Sequence, residues 1–180
     1  TSRFDLMSFA NEQKLTLSAH YDSQLRCSGT MGLGWYHNYE KRLVKNGSTI
    51  HLFESPQHYQ TYQYNNISGV YECTSPGKQG YTIKREASGY RLDCNKDHEE
   101  WYDPNTGALI KLINHQGYEI TYLQPDNLGN ISADALKEAL RKDTVLVSVM
   151  MVNNETGAVL PISQMAKLIR KLSPDAIFHT

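Results

Sequence analysis

Near Gln116 to Glu119 the chain changes its periodicity, and this break limits the fold more than any composition figure does. All three Cys, both Trp and ten of the twelve Tyr precede Gly117. After it the sequence is carried by Leu, Val, Ala and Met at helical spacing and in short apolar runs. Alternation is the mark of a half-buried strand, and a longer helical period is the mark of an amphipathic helix. No single repeating element can serve both halves.

Before the break, Leu15, Leu17, Ala19 and Tyr21 fall on one face of an alternating run, and residues 49–53 and 59–64 repeat the pattern. Asn46-Gly47, Ser68-Gly69, Pro76-Gly77, Ser88-Gly89 and Asn105-Thr106-Gly107 punctuate these runs at hairpin intervals. Gly and Asn there supply the positive φ that tight turns need. The expectation is a meandering antiparallel sheet. Tyr at alternate positions reads as cross-strand packing and not as a sugar-stacking platform. Adjacent Glu99 and Glu100 would point to opposite faces of a strand, which argues against a paired-carboxylate hydrolase.

After the break, residues 117–123 predict a short strand ended by Pro125-Asp126-Asn127. Ser132 is placed to cap a helix over 133–141, with Ile131 and Leu136 as a hydrophobic staple. Val145 to Val152 is a near-continuous apolar run, as expected of a parallel strand covered on both faces. Asn153 to Gly157 breaks it. Ile162, Met165, Ala166, Ile169 and Leu172 then mark a second amphipathic helix, Ser173-Pro174-Asp175 stops it, and residues 176–180 begin another strand. The expected fold is therefore an α+β composite: an antiparallel β meander over residues 1–116, followed by a β-α-β-α-β fragment over residues 117–180.

Charge excludes several functions. Twelve basic and twelve acidic residues precede Gly117, and six and seven follow it, so nothing selects a nucleic acid or an anionic membrane as partner. No apolar run approaches the roughly 18 residues of a spanning helix, so no membrane insertion is expected. The chain opens Thr1-Ser2-Arg3 without an apolar signal segment, and with its Thr180 end it reads as an excised piece. Cys27, Cys73 and Cys94 are odd in number, so at least one thiol is free or paired between chains, and their disulfide status stays open. Without a CxxC pair or an HExxH stretch no metal centre is expected, and His20, His37, His51, His58, His98 and His115 read as structural.

Within the first half, Tyr21-Asp22-Ser23, then Gly32-Leu33-Gly34-Trp35-Tyr36-His37-Asn38-Tyr39, then Trp101-Tyr102-Asp103-Pro104-Asn105-Thr106-Gly107-Ala108-Leu109 occur in order. This set resembles the entry region of RHS or YD-repeat proteins across residues 4–116. The resemblance implies strands that spiral into a non-catalytic shell around a C-terminal cargo, with shell or cargo contacts as partners and a secreted or surface location. In the YD unit Asp103 would accept hydrogen bonds from its turn, Gly107 would relieve that turn, and Leu109 would start the next strand facing inward.

Within the second half, Asp143 to Met150, then Val152-Asn153-Asn154-Glu155-Thr156-Gly157, then Pro161-Ile162 and Phe178-His179-Thr180 resemble cysteine desulfurases of the class V aminotransferase family across residues 117–180. Selenocysteine lyases share the pattern. The resemblance implies pyridoxal phosphate in that family, with Asn154 as a cofactor-binding residue against the ring. It also implies an Asp for the pyridinium nitrogen one residue beyond Thr180. The family's Schiff-base Lys in a Ser-x-His-Lys stretch, its ring-stacking His, its phosphate loop and its sulfur-accepting Cys are missing, and Lys137, Lys142, Lys167 and Lys171 have no such setting. The expectation is a non-catalytic composite with no catalytic residue and no cofactor of its own. One alternative is a slice of a pyridoxal-phosphate-dependent cysteine desulfurase that supplies sulfur for iron–sulfur assembly in the cytoplasm. Another is an RHS-type shell protein with C-terminal cargo.

Overall fold

The computed structural model of the chain describes all residues except 1, 10–14, 24–27, 30–31, 34, 38–39, 96, 127 and 154–155. Among the described residues, side chains are described for 20–23, 36 and from 40 onward. Parts of the Gly32 to Tyr39 motif, and Asn154, therefore lie outside the described residues. The chain divides into two compact units, Thr1–Ile120 and Thr121–Thr180.

The first unit is β throughout. Strands β1 (Ser2–Phe9), β2 (Leu15–Tyr21), β3 (Ser28–Gly29), β4 (Gly32–Leu33) and β5 (Trp35–His37) form an antiparallel β1-β2-β5 sheet and a separate β3-β4 pair. Next come β6 (Arg42–Asn46), β7 (Thr49–Ser55), β8 (His58–Asn65), β9 (Val70–Cys73), β10 (Thr82–Glu86), β11 (Gly89–Asp93), β12 (His98–Tyr102), β13 (Leu109–Asn114) and β14 (Glu119–Thr121). These nine make one sheet in chain order, with no crossover. The expected hairpin turns account for this order: Gly47, Gly69 and Gly107 take φ of 59°, 71° and 73°, and the Asp103 carboxylate accepts from the backbone N–H groups of Asn105 and Thr106 at 2.9 and 2.7 Å.

The sheet rolls until its far edge meets strand β13. Arg42 bridges Ala108 in antiparallel fashion, Leu43 N–H donates to Gly107 C=O at 2.8 Å, and Leu109 N–H donates to Lys41 C=O at 3.3 Å. Alternate residues face inward. Ile50, Leu52, Tyr62, Ile83, Leu92 and Tyr102 are buried along the concave side, and this side also holds a set of polar groups.

The second unit contains α1 (Ala133–Ala139), β15 (Leu146–Ser148), α2 (Ile162–Leu172) and β16 (Ile177–His179). Ser132 caps α1 by accepting from Ala135 N–H at 3.0 Å. Strands β15 and β16 pair in parallel, Val147 opposite Phe178, as expected of strands joined by a helical crossover. Leu136, Val147, Leu160, Met165 and Ile169 form the core, with Ile131 and Phe178 packed on it.

The β-α-β-α-β expectation is not met, and the chain is mostly antiparallel β. The segment expected to open the α/β fragment is β14, which lies beside β13 in the antiparallel sheet. Local turn chemistry decides this. The Asn114 carboxamide accepts from the N–H groups of Gln116 and Tyr118 at 3.1 and 2.8 Å, Gly117 takes φ of 83°, and Asn114 N–H donates to Tyr118 C=O at 3.0 Å. Such a side-chain-stabilised turn folds the chain back on itself. The Val145 to Val152 run is likewise not a long central strand. Only Leu146–Ser148 is strand, Val145 is 77% exposed, and Met150 and Met151 are about half exposed. A single neighbouring parallel strand and one helical layer cover only one face of such a run.

Candidate functional site

Strand β12 sorts its side chains by alternation. Glu99 and Trp101 take the outer face, where Arg91 Nη1 donates to Glu99 Oε1 at 3.1 Å and the Lys111 ammonium lies 5.5 Å from the Trp101 ring centre. His98, Glu100 and Tyr102 take the inner face. Cys94 reaches the same place through a tight turn: Asn95 has φ of 57°, Asp97 N–H donates to Cys94 C=O at 3.2 Å, and Cys94 N–H donates to His98 C=O at 3.1 Å. The ligand-capable atoms of Cys94, His98 and Glu100 all lie within 4.8 Å of one another.

Glu100 is the centre of this group, with a side chain wholly removed from solvent. Lys41 Nζ donates to its Oε1 and Tyr102 OH to its Oε2, while His98 Nε2 lies 3.0 Å from Oε1. The second ring nitrogen of His98, Nδ1, meets Asp97 Oδ2 at 2.9 Å. Lys41 is present only because the sheet rolls, since its backbone makes one of the closing hydrogen bonds. Beside the group, Tyr62 OH donates to Gln60 Oε1 at 2.7 Å, and Gln60 Nε2 donates to Glu54 Oε1 at 2.6 Å.

Each titration follows from these neighbours. Burial by itself would raise the Glu100 carboxyl, but the His98 hydrogen bond, the Lys41 charge and the Tyr102 hydroxyl outweigh it and hold the group at about 2. Hydrogen bonds to Cys94 and Glu100 act against burial and, with Asp97, push His98 up to about 11. Burial opposes ionisation of Lys41, yet Glu100 raises its pKa overall. Burial pushes the Cys94 thiol up. At neutral pH the group is therefore an anion among two cations and a neutral thiol.

A pH dependence follows. The Glu100 pKa is depressed on folding, so its contribution is present above its ordinary value of 4.5 and is lost as pH falls towards about 2. The His98 pKa is raised, so its contribution is complete below 6.5 and declines as pH rises towards about 11. Linkage then gives this cluster its greatest stabilising effect between those two ordinary values. Thermal unfolding midpoints across a pH series should peak there, and His98→Gln should flatten the alkaline limb. An unchanged alkaline limb in that variant would refute the assignment.

In the second unit, Ser148 Oγ and His179 Nδ1 lie 3.0 Å apart at the carboxyl ends of β15 and β16. They border an open hollow lined also by Met150, Met151 and Val152, at the kind of sheet end where α/β ligands collect. Pyridoxal phosphate needs a Schiff-base lysine, a partner for the ring nitrogen and donors for its phosphate. Among the described residues the lining of the hollow holds no lysine, arginine or side-chain carboxylate, so that lining by itself supplies none of these groups. Asn154, the residue expected to touch the ring, lies outside the described residues.

Sequence reasoning separated Glu99 from Glu100 but did not single out the cluster. A same-face signal was present, because His98, Glu100 and Tyr102 alternate and Cys94 precedes them across a turn. Nothing local pointed to Lys41.

Comparison with known proteins finds similarity to two families in different parts of the chain. Residues 104–180 match the aminotransferase class-V family model, and residues 3–62 match a domain of unknown function, DUF6531. The chain thus joins similarity to two different families. Among curated proteins it is similar to the cysteine desulfurase IscS of Dictyoglomus turgidum, 48% identical over 114 residues, covering 63% of this chain and 27% of that protein. It is also similar to IscS of Anaeromyxobacter sp. (strain K), 34% identical over 113 residues, 62% of this chain and 26% of that protein. The mitochondrial cysteine desulfurase of Candida albicans is 48% identical over 65 residues, 36% of this chain and 13% of that protein. The chain spans about a quarter of the length of the first two relatives. The chain thus contains a partial cysteine-desulfurase-like region. The class-V match begins at Pro104, so it includes strands β13 and β14 of the rolled sheet. No helix among the described residues is long and apolar enough to cross a membrane.

Proposed function

We propose that these 180 residues act as a non-catalytic composite, an RHS-type β scaffold joined to an incomplete cysteine desulfurase core. The observation that carries this reading is the hollow beside β15 and β16, whose described lining of Met, Val, Ser, His and Thr holds no group able to form a Schiff base. The rolled sheet supports the scaffold half of the reading, since the charged cluster around Glu100 on its inner side is occupied with mutual pairing. The 48% identity to cysteine desulfurases favours a second reading: the chain is a slice of a pyridoxal-phosphate enzyme. One assay tests the non-catalytic reading. The full chain with pyridoxal phosphate and cysteine should give no lysine-dependent aldimine absorbance and no sulfide. Either signal at stoichiometric level would overturn the non-catalytic reading.

A further inference from the structure

We propose that Cys94, His98 and Glu100 form a binding site for a borderline divalent cation of the zinc type, inside the rolled sheet and independent of the desulfurase-like unit. The three residues supply one sulfur, one imidazole nitrogen and one carboxylate oxygen, which is a donor set suited to zinc. Their donor atoms already lie within 4.8 Å of one another. Zinc bonds of about 2.0–2.3 Å at tetrahedral angles place ligand atoms roughly 3.3–3.6 Å apart, so closure requires a contraction of only about 1 Å.

One further observation favours a metal over a purely structural cluster. The imidazole is aimed by its second nitrogen, with Asp97 Oδ2 at 2.9 Å from Nδ1 and Nε2 facing Glu100. A carboxylate on the far ring nitrogen is the usual means of orienting a metal-bound histidine. On binding, the protons carried by the ligating atoms of Cys94 and His98 pass to solvent. The metal takes the Glu100 oxygen from Lys41, whose ammonium, 18% exposed, swings towards solvent or Glu54. Water completes the fourth position.

The test uses the full reduced chain stripped with a chelator, and the probes are Co2+ and Zn2+ themselves. One equivalent of Co2+ should produce a thiolate-to-cobalt charge-transfer band with tetrahedral visible absorption, and Zn2+ should abolish it. Cys94→Ser should remove the band and lower Zn2+ affinity by about a hundredfold or more, whereas Cys73→Ser should retain both. Lys41→Met, which removes the competing ammonium, should tighten Zn2+ binding by about tenfold. Circular dichroism of each variant shows that it is folded. No stoichiometric band in the folded wild type, a band that survives Cys94→Ser, or weaker binding in folded Lys41→Met would each overturn the proposal.

Discussion

Replacing Glu100 by Ala is expected to cost about 3–5 kcal/mol, because it leaves buried positive charge without its anion. Lys41 and His98 both direct donors at this carboxylate, and the buried Tyr102 hydroxyl donates to it as well. Domains of this size are held by roughly 5–15 kcal/mol in total, so the loss removes a large share of the margin. Both tryptophans, Trp35 and Trp101, lie in the first unit, so urea unfolding followed by their fluorescence reports on that unit selectively. The measurement is made with a chelator present. Two companion variants distinguish charge from volume. Glu100→Gln keeps an acceptor for Tyr102 and should lose less, and Glu100→Leu combined with Lys41→Met removes that ion pair, leaves His98 with Asp97, and should recover part of the loss, since buried ion pairs are often replaceable as a unit but not singly. A cost below about 1 kcal/mol for Glu100→Ala would show that water already reaches the cluster.

How much of this was legible in the sequence depended on the range of the interaction. Turns and caps are written locally, so Asp103, Gly107 and Ser132 did what their neighbours in sequence implied. The alternation of β12 was equally local. The roll of the sheet was not, because it depends on Lys41 and Leu43 meeting residues more than sixty positions later, and no periodic pattern encodes such a meeting. The α/β fragment was misjudged for a related reason. An apolar run such as Val145 to Val152 signals a buried strand only if layers exist on both sides, and sequence periodicity does not report what lies opposite. The Gly117 region satisfied two patterns at once, a YD-type unit and the start of a desulfurase strand, and the Asn114 turn settled the competition in favour of the sheet.

The roll itself can be broken by one methyl group. Gly107 takes φ of 73°, and a Cβ added there would stand 1.9 Å from Leu43 O and 3.0 Å from Leu43 C. That carbonyl belongs to the residue whose N–H closes the sheet on Gly107 C=O at 2.8 Å, so backbone must move and the closing contact with it. Gly117 is the matched control: it takes φ of 83° but has nothing within 4 Å of the added Cβ, so Gly117→Ala should cost only the left-handed backbone penalty of about 1–2 kcal/mol. Gly107→Ala carries that same penalty, and in addition the steric displacement and weakening of the Lys41 to Glu100 pair, and should cost at least about 3 kcal/mol by the same urea assay. Because both substitutions act on that pair, Gly107→Ala and Glu100→Ala together should destabilise by less than the sum of the two alone. Equal losses for Gly107→Ala and Gly117→Ala, or strict additivity with Glu100→Ala, would mean that the charged cluster holds without the roll that brings Lys41 to it.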